Sequence, residues 1–164
     1  MGCDIHAFVE HAWITRSDGS PYWQTFISNA GNRDYRMFGW LAGVRSDREP
    51  LFPLKSLPDD MSWGTRDYMW MRVVDEPDPD QRQCTAEQAA GWGEEVFDVG
   101  SFKYCNDPDL HSHSWLTLDE FKQVLAQYMI NHGPYAAEWD AMKAAMEAFE
   151  KRGAQTRLVF AFDN

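Results

Sequence analysis

Two short stretches of the chain carry residue types that can do chemistry. Near the N-terminus, Asp4 and His6 are separated by one residue. Residues two apart on a strand share a face. Asp4, His6, Phe8 and Glu10 are therefore expected on one side, and Ile5, Ala7, Val9 and His11 on the other. A carboxylate beside an imidazole can ligate a divalent metal or work as an acid–base pair; it can also be a hydrogen-bonded polar couple at a sheet edge. The second stretch, His111-Ser112-His113-Ser114-Trp115, follows Asp107-Pro108-Asp109 and precedes a helix start. His111 and His113 can ligate zinc or a similar ion if both rings face one point. Ser112 and Ser114, beside a helix N-terminus, can instead cradle a phosphate or carboxylate. The plainer alternative is helix capping with surface histidines.

A third group is basic. Arg33, Arg36, Arg45 and Arg48 flank the first amphipathic segment. Guanidinium groups recognise phosphate or carboxylate by bidentate hydrogen bonds, although pairing with surface carboxylates is the commoner fate of any one arginine. Several motifs are absent from the sequence: no phosphate-binding Gly-rich loop, no GxGxxG, no GxSxG, no HExxH and no zinc-finger spacing. Cys3 and His6 fall on opposite strand faces, so Cys3 reads as an ordinary buried cysteine. Trp63, Trp70 and Trp92 read as packing residues rather than a base-stacking platform, since no basic groove accompanies them.

These residues need elements to position them. Residues 3–14 and 22–27 read as strands joined by Ser17-Asp18-Gly19-Ser20-Pro21, a hairpin, with loop at 28–32. Tyr35, Phe38, Leu41 and Ala42 recur at helical spacing and predict a helix over about 34–44. Pro50, Pro53 and Pro58 make 46–64 a loop, and 68–74 reads as a strand. Residues 75–80, Asp-Glu-Pro-Asp-Pro-Asp, cannot form regular structure and read as a solvated, mobile loop. Thr85 with Gln88 predicts a capped helical turn ending at Gly91, and 95–104 a short strand broken by Gly100. Thr117 with Glu120 caps a helix whose apolar face runs from Leu118 to Met129 and which Gly133-Pro134 stop. A second helix over about 134–152 would bury Tyr135, Trp139, Met142, Met146 and Phe149. Residues 157–162 make a final strand.

Strands and helices do not alternate, which argues against a doubly wound parallel sheet. The expectation is an α+β fold: a mixed or antiparallel sheet, first and last strands adjacent because both are strongly apolar, helices on one face. With 164 residues the chain reads as one globular domain over 1–164. Its net charge of -11 argues against a nucleic-acid backbone or an anionic membrane as partner and is compatible with a basic protein surface. Three cysteines, with no CxxC pair, fit a reducing compartment and hence the cytoplasm. No apolar run of about 18 residues is present to span a membrane. Asp4, His6 and Glu10 interrupt any signal-peptide core, and His6 stands where N-myristoylation would want Ser or Thr.

The opening block Met1-Gly2-Cys3-Asp4-Ile5-His6 resembles a group of phage- and prophage-encoded proteins that begin in this way. The likeness recurs from Asp34-Tyr35 to Val44-Arg45, in Leu57-Pro58-x-Asp60, from His111-Ser112 to Leu118, and in the tail from Arg157 to Asn164. Residues 75–105 depart from it. The resemblance implies a phage origin and the cytoplasm of an infected bacterium; it supplies neither a fold nor an activity. Its blocks coincide with Asp4, His6, Arg45, His111, Ser112 and Asp163.

The expected function is therefore a polar site for a small anionic, nucleotide-like ligand. Asp4, His6, His111, His113 and Asp163 are its candidate metal ligands, and Arg45, Ser112 and Ser114 its candidate anion contacts. A divalent metal is the candidate cofactor, and metal-assisted hydrolysis of a phosphate ester the reaction to test first. Two alternatives stand beside it: an acidic, binding-only inhibitor of a host protein, and a structural or assembly factor whose polar residues only hold loops in place.

Overall fold

A computed structural model describes residues 2–163. Met1 of the opening block and Asn164 of the tail lie outside the described residues. The chain begins with β1 (Ile5–Thr15), β2 (Pro21–Asn32), α1 (Tyr35–Ala42) and α2 (Trp63–Met69). A middle section follows, with β3 (Trp70–Val73), β4 (Gln83–Cys84), α3 (Ala86–Trp92), β5 (Phe97–Val99) and β6 (Phe102–Asn106). It closes with β7 (Leu110–Leu116), α4 (Leu118–His132), α5 (Ala137–Glu150) and β8 (Gln155–Asp163).

The strands form two four-stranded sheets. The first has the order β2-β1-β8-β7 and is antiparallel throughout, and the second has the order β4-β3-β6-β5 with β3 and β4 parallel. This is the α+β architecture with the first and last strands side by side. Ile5 pairs with Phe162 and Glu10 with Arg157.

Alternation along β1 and β8 decides which face each side chain takes. Ile5, Ala7, Val9, Leu158, Phe160 and Phe162 pack under Phe38 of α1, Phe121 and Leu125 of α4, and Trp139 and Met146 of α5. Each fully buried side chain of this size contributes about 1.5–3 kcal/mol. On the opposite face, Phe8, Val159 and Ala161 meet Met69 of α2 and Trp70 and Tyr104 of the second sheet. The far side of that sheet buries Cys84 and Cys105 against Ala89 of α3. The first sheet is thus covered on both faces, with α1, α4 and α5 on one side and the second sheet with α2 on the other.

Several expected boundaries move. Residues 28–32, expected as loop, continue β2, because β1 is long enough to pair with them as far as Ile5↔Asn32. Residues 63–69, expected partly as loop and partly as strand, form α2, which Ser62 caps by accepting from the Thr65 N–H. Gly91 lies inside α3, and the left-handed residue that ends the helix is Gly93 (φ 80°). The segment 111–114, expected as a loop before a helix, belongs to β7.

The two expected capping boxes form, at Thr85–Gln88 and Thr117–Glu120. The acidic run 75–80 has no regular structure. Asp78 ties it down, accepting from the Asp80 N–H and from the Gln81 amide.

Candidate functional site

The first polar site lies where β1 starts and β8 ends. The antiparallel register sets Asp4 beside Asp163: the Asp4 N–H donates to Asp163 Oδ1 (2.9 Å), and the Asp163 N–H donates to the Asp4 carbonyl (3.1 Å). His6 is 7% exposed and projects away from α1, α4 and α5 and toward α2, on the face its partner Ala161 also takes. Its Nε2 lies 3.0 Å from Asp163 Oδ2 and its Nδ1 lies 2.6 Å from the Tyr68 hydroxyl. An ionised carboxylate only accepts, so Nε2 carries the hydrogen. Nδ1 of the neutral ring is then left to accept from the Tyr68 O–H. The result is a chain of hydrogen bonds from Asp163 through His6 to Tyr68.

Charge surrounds this chain. The Arg33 Nε and Nη2 donate to the two oxygens of Asp4 (2.5 and 3.0 Å). Gly2 makes room for that guanidinium, since a Cβ at Gly2 would stand 2.7 Å from Arg33 Nη1. On the other side, the Arg82 guanidinium lies 5.0 Å from the Tyr68 ring centroid and also pairs with Asp107.

These contacts act on the acidities. Burial works to raise the Asp163 carboxyl, but the His6 hydrogen bond and the Asp4 N–H outweigh it and hold the group below the usual carboxylate range. The Arg33 hydrogen bonds likewise hold Asp4 below its ordinary value. Burial pushes the Tyr68 phenol up, so at neutral pH it keeps its proton.

The other expected residues go elsewhere. His111 pairs with Phe162, a residue of the helix-covered face, so it lies on the opposite side of the sheet from His6. Its ring stacks on Phe162 at 6.1 Å, and its Nδ1 bonds the Ser112 hydroxyl at 3.0 Å. Ser112 has φ 51° in a β-bulge between His111 and Ser114, which breaks the two-residue alternation there.

His113 lines a separate cleft of about 460 Å³ with Lys55, Asp59, Trp70 and Asn106, and burial lowers its pKa. Ser114 is buried and accepts from the Lys55 N–H (3.0 Å), a purely internal contact. Arg45, also at positive φ (53°), hydrogen-bonds the buried Cys3 thiol, whose pKa burial nonetheless raises.

Of the eight expected site residues, the structure thus joins Asp4, His6 and Asp163. It does not join them with His111, His113, Ser112 or Ser114, while Arg45 reaches Cys3, the residue before Asp4. Among the described residues, no group of three or more His, Cys, Asp or Glu side chains is arranged to hold a metal ion.

Sequence reasoning missed Tyr68 and Arg82. Tyr68 is 62 residues from His6, and its stretch read as a strand, in which it would have had a different direction. It also missed a second polar cluster deeper in the same sheet. Glu10 (0% exposed) and Arg157 (5% exposed) are cross-strand partners bonded at 2.7 Å. Arg157 reaches on to Asp60 (2.7 Å), which also accepts from the Trp23 indole (2.9 Å), and Glu10 accepts from the Ser62 N–H (2.8 Å). The cross-strand position of residues 10 and 157 was predictable in principle once the first and last strands were placed side by side; the register was not.

The chain matches no protein-family model, no curated protein and no solved structure. No helix among the described residues is long and apolar enough to cross a membrane.

Proposed function

We propose that the chain acts on a small phosphate-bearing ligand and that Asp163, His6 and Tyr68 are its proton-handling centre. The observation that supports this reading is the double engagement of His6, carboxylate on one ring nitrogen and phenol on the other. A carboxylate–imidazole–hydroxyl chain fixes the imidazole tautomer and stabilises the imidazolium when it takes up a proton.

Tyr68 is protonated at neutral pH and gives its proton to the leaving oxygen of a phosphate ester. As the Tyr68 hydrogen swings from His6 Nδ1 to the leaving oxygen, Nδ1 is freed to take the proton of the water that adds its hydroxyl to phosphorus, and it hands that proton on to the phenolate. Arg82, beside the Tyr68 ring, offsets the negative charge that the phenol oxygen and the phosphate carry in between. General acid–base assistance of this kind contributes about 100- to 10,000-fold in rate.

A divalent ion at Asp4, His6 and Asp163 would have to displace Arg33 from Asp4 and break the His6–Asp163 bond. No step of this reading is routed through a metal. Together with the resemblance to phage-encoded proteins, the reading is of an accessory enzyme working in the bacterial cytoplasm.

The test is turnover of a panel of phosphate monoesters and diesters, cyclic nucleotides included, with and without chelator. Hydrolysis of at least one, insensitive to chelator and abolished in His6→Ala, supports the reading. Hydrolysis that stops on chelation restores the metal-assisted form, and no hydrolysis of any member removes the reading.

A further inference from the structure

The second sheet carries a cleft that shares Arg82 with the reading above and is otherwise unused by it. It measures about 430 Å³ and is lined by Trp63 and Asp67 of α2, Arg72 of β3, Arg82, and Phe102 and Tyr104 of β6, within the usual size range of ligand pockets. Trp63 is 72% exposed, so it is not the packing residue its sequence neighbourhood suggests.

The polar groups are unusual for so acidic a chain. Arg72 and Arg66 have no carboxylate within 4.0 Å among the described residues, whereas Arg82 pairs with Asp107. Arg72 stacks on the Phe102 ring at 4.1 Å, and Arg66 lies 5.8 Å from the Tyr104 ring. Two guanidinium groups, Arg72 and Arg82, therefore line the cleft beside one carboxylate, Asp67, with Asp107 paired to Arg82, in a chain of net charge -11. The strand pairing holds these two arginines together, because the Arg72 N–H donates to the Arg82 carbonyl (3.0 Å).

We propose that this cleft binds a nucleoside monophosphate. Each part of that ligand meets a matching wall. A flat base stacks on the open face of Trp63 or on Phe102, as bases do on exposed aromatic rings. The phosphate takes the forked donors of Arg72 and Arg82. Asp67, one helical turn from Trp63 on the same face of α2, accepts from the ribose hydroxyls. A bare anion would use only the arginines and a neutral ring only the aromatics, so the cleft distinguishes the joined ligand from its pieces. The site shares Arg82 with the proton-handling centre but goes beyond it and does not rest on it, because His6, Tyr68 and Asp163 contribute nothing to its walls.

The experiment follows the Trp63 indole N–H resonance as adenosine 5′-monophosphate, adenosine or inorganic phosphate is added, each up to about 10 mM. The expected result is a saturable shift with the nucleotide, at an affinity tenfold or more above either fragment. Arg72→Ala and Trp63→Ala, at exposed positions and checked for folding by circular dichroism, should weaken it at least fivefold, the latter followed by calorimetry. His6→Ala should leave it within twofold. Three results would overturn the site: no saturable shift, equal affinity for nucleotide and phosphate, or a loss in His6→Ala as large as in Arg72→Ala. Because turnover and binding are read separately, retained binding without hydrolysis would leave this cleft standing and remove only the proton-handling reading.

Discussion

His6 and Asp163 stand 157 residues apart in sequence, with His6 Nε2 and Asp163 Oδ2 3.0 Å apart in space. The pairing of the first and last strands alone achieves this, since β1 and β8 run antiparallel from Ile5↔Phe162 onward. Asp163 also accepts the Asp4 N–H, so one carboxylate both extends the sheet edge and orients the imidazole.

That orientation makes a spectroscopic prediction. At neutral pH the His6 ring should carry its hydrogen on Nε2 and leave Nδ1 as the acceptor of the Tyr68 O–H. Long-range ¹H–¹⁵N correlation of the imidazole distinguishes the tautomers. A ring protonated on Nδ1 alone would mean that the hydrogen-bond chain runs differently.

Acid should weaken the fold through the same carboxylates. Asp163 and Asp4 have folded-state pKa values held below the ordinary one. Their stabilising effect is therefore fully present above the unfolded value, about 4, and is lost as pH falls through the folded values. Urea midpoints from pH 7 to 3 should decline, and Asp163→Asn should show a shallower decline than the wild type. An identical slope in the two proteins would show that Asp163 takes no part.

The buried pair Glu10–Arg157 should matter for stability rather than chemistry. Replacing Arg157 by Met leaves the fully buried Glu10 facing an apolar group, and removing one partner of a buried pair costs about 3–5 kcal/mol. The double variant Glu10→Gln with Arg157→Met should recover part of that loss, as a double-mutant cycle in urea would show. A cost in Arg157→Met below about 1 kcal/mol would mean that water reaches the site.

Ser112 makes the opposite prediction. It holds φ 51° at the β7 bulge, a conformation that costs a non-glycine residue about 1 kcal/mol. Ser112→Gly should keep the fold and raise the melting temperature slightly. A fall would show that the hydroxyl contact to His111 (3.0 Å) outweighs the strain.

The sequence disclosed a good part of this molecule, and physics marks where it stopped. Two-residue alternation placed Asp4 and His6 correctly against Ile5 and Val9, because β1 keeps an unbroken register with β8 from Ile5 to Ala12. The capping pairs at residues 85–88 and 117–120 were equally plain, since they depend on neighbours three residues apart. The meeting of Asp163 with His6 followed from expecting the terminal strands to be adjacent. By contrast, His111 joined the wrong face because a bulge at Ser112 shifts its strand by one residue, and no composition signal announces a bulge. Tyr68 and Trp63 were misplaced because the short helix α2 has neither a long apolar stripe nor a strong stop. Its existence depends on the Ser62 cap and on Thr65 and Met69 being buried from elsewhere.

The most direct test of the proton-handling centre is the rate of phosphate-ester hydrolysis in four proteins: wild type, His6→Ala, Asp163→Asn and Tyr68→Phe. Circular dichroism confirms folding in each. Tyr68→Phe is the sharpest of them, because it removes one hydroxyl and keeps the ring; its stability cost should be about 1 kcal/mol. The account predicts measurable turnover in the wild type and a fall of about 100-fold or more in every variant. Turnover that survives in Tyr68→Phe and His6→Ala, or none in the wild type with any ester, would contradict it.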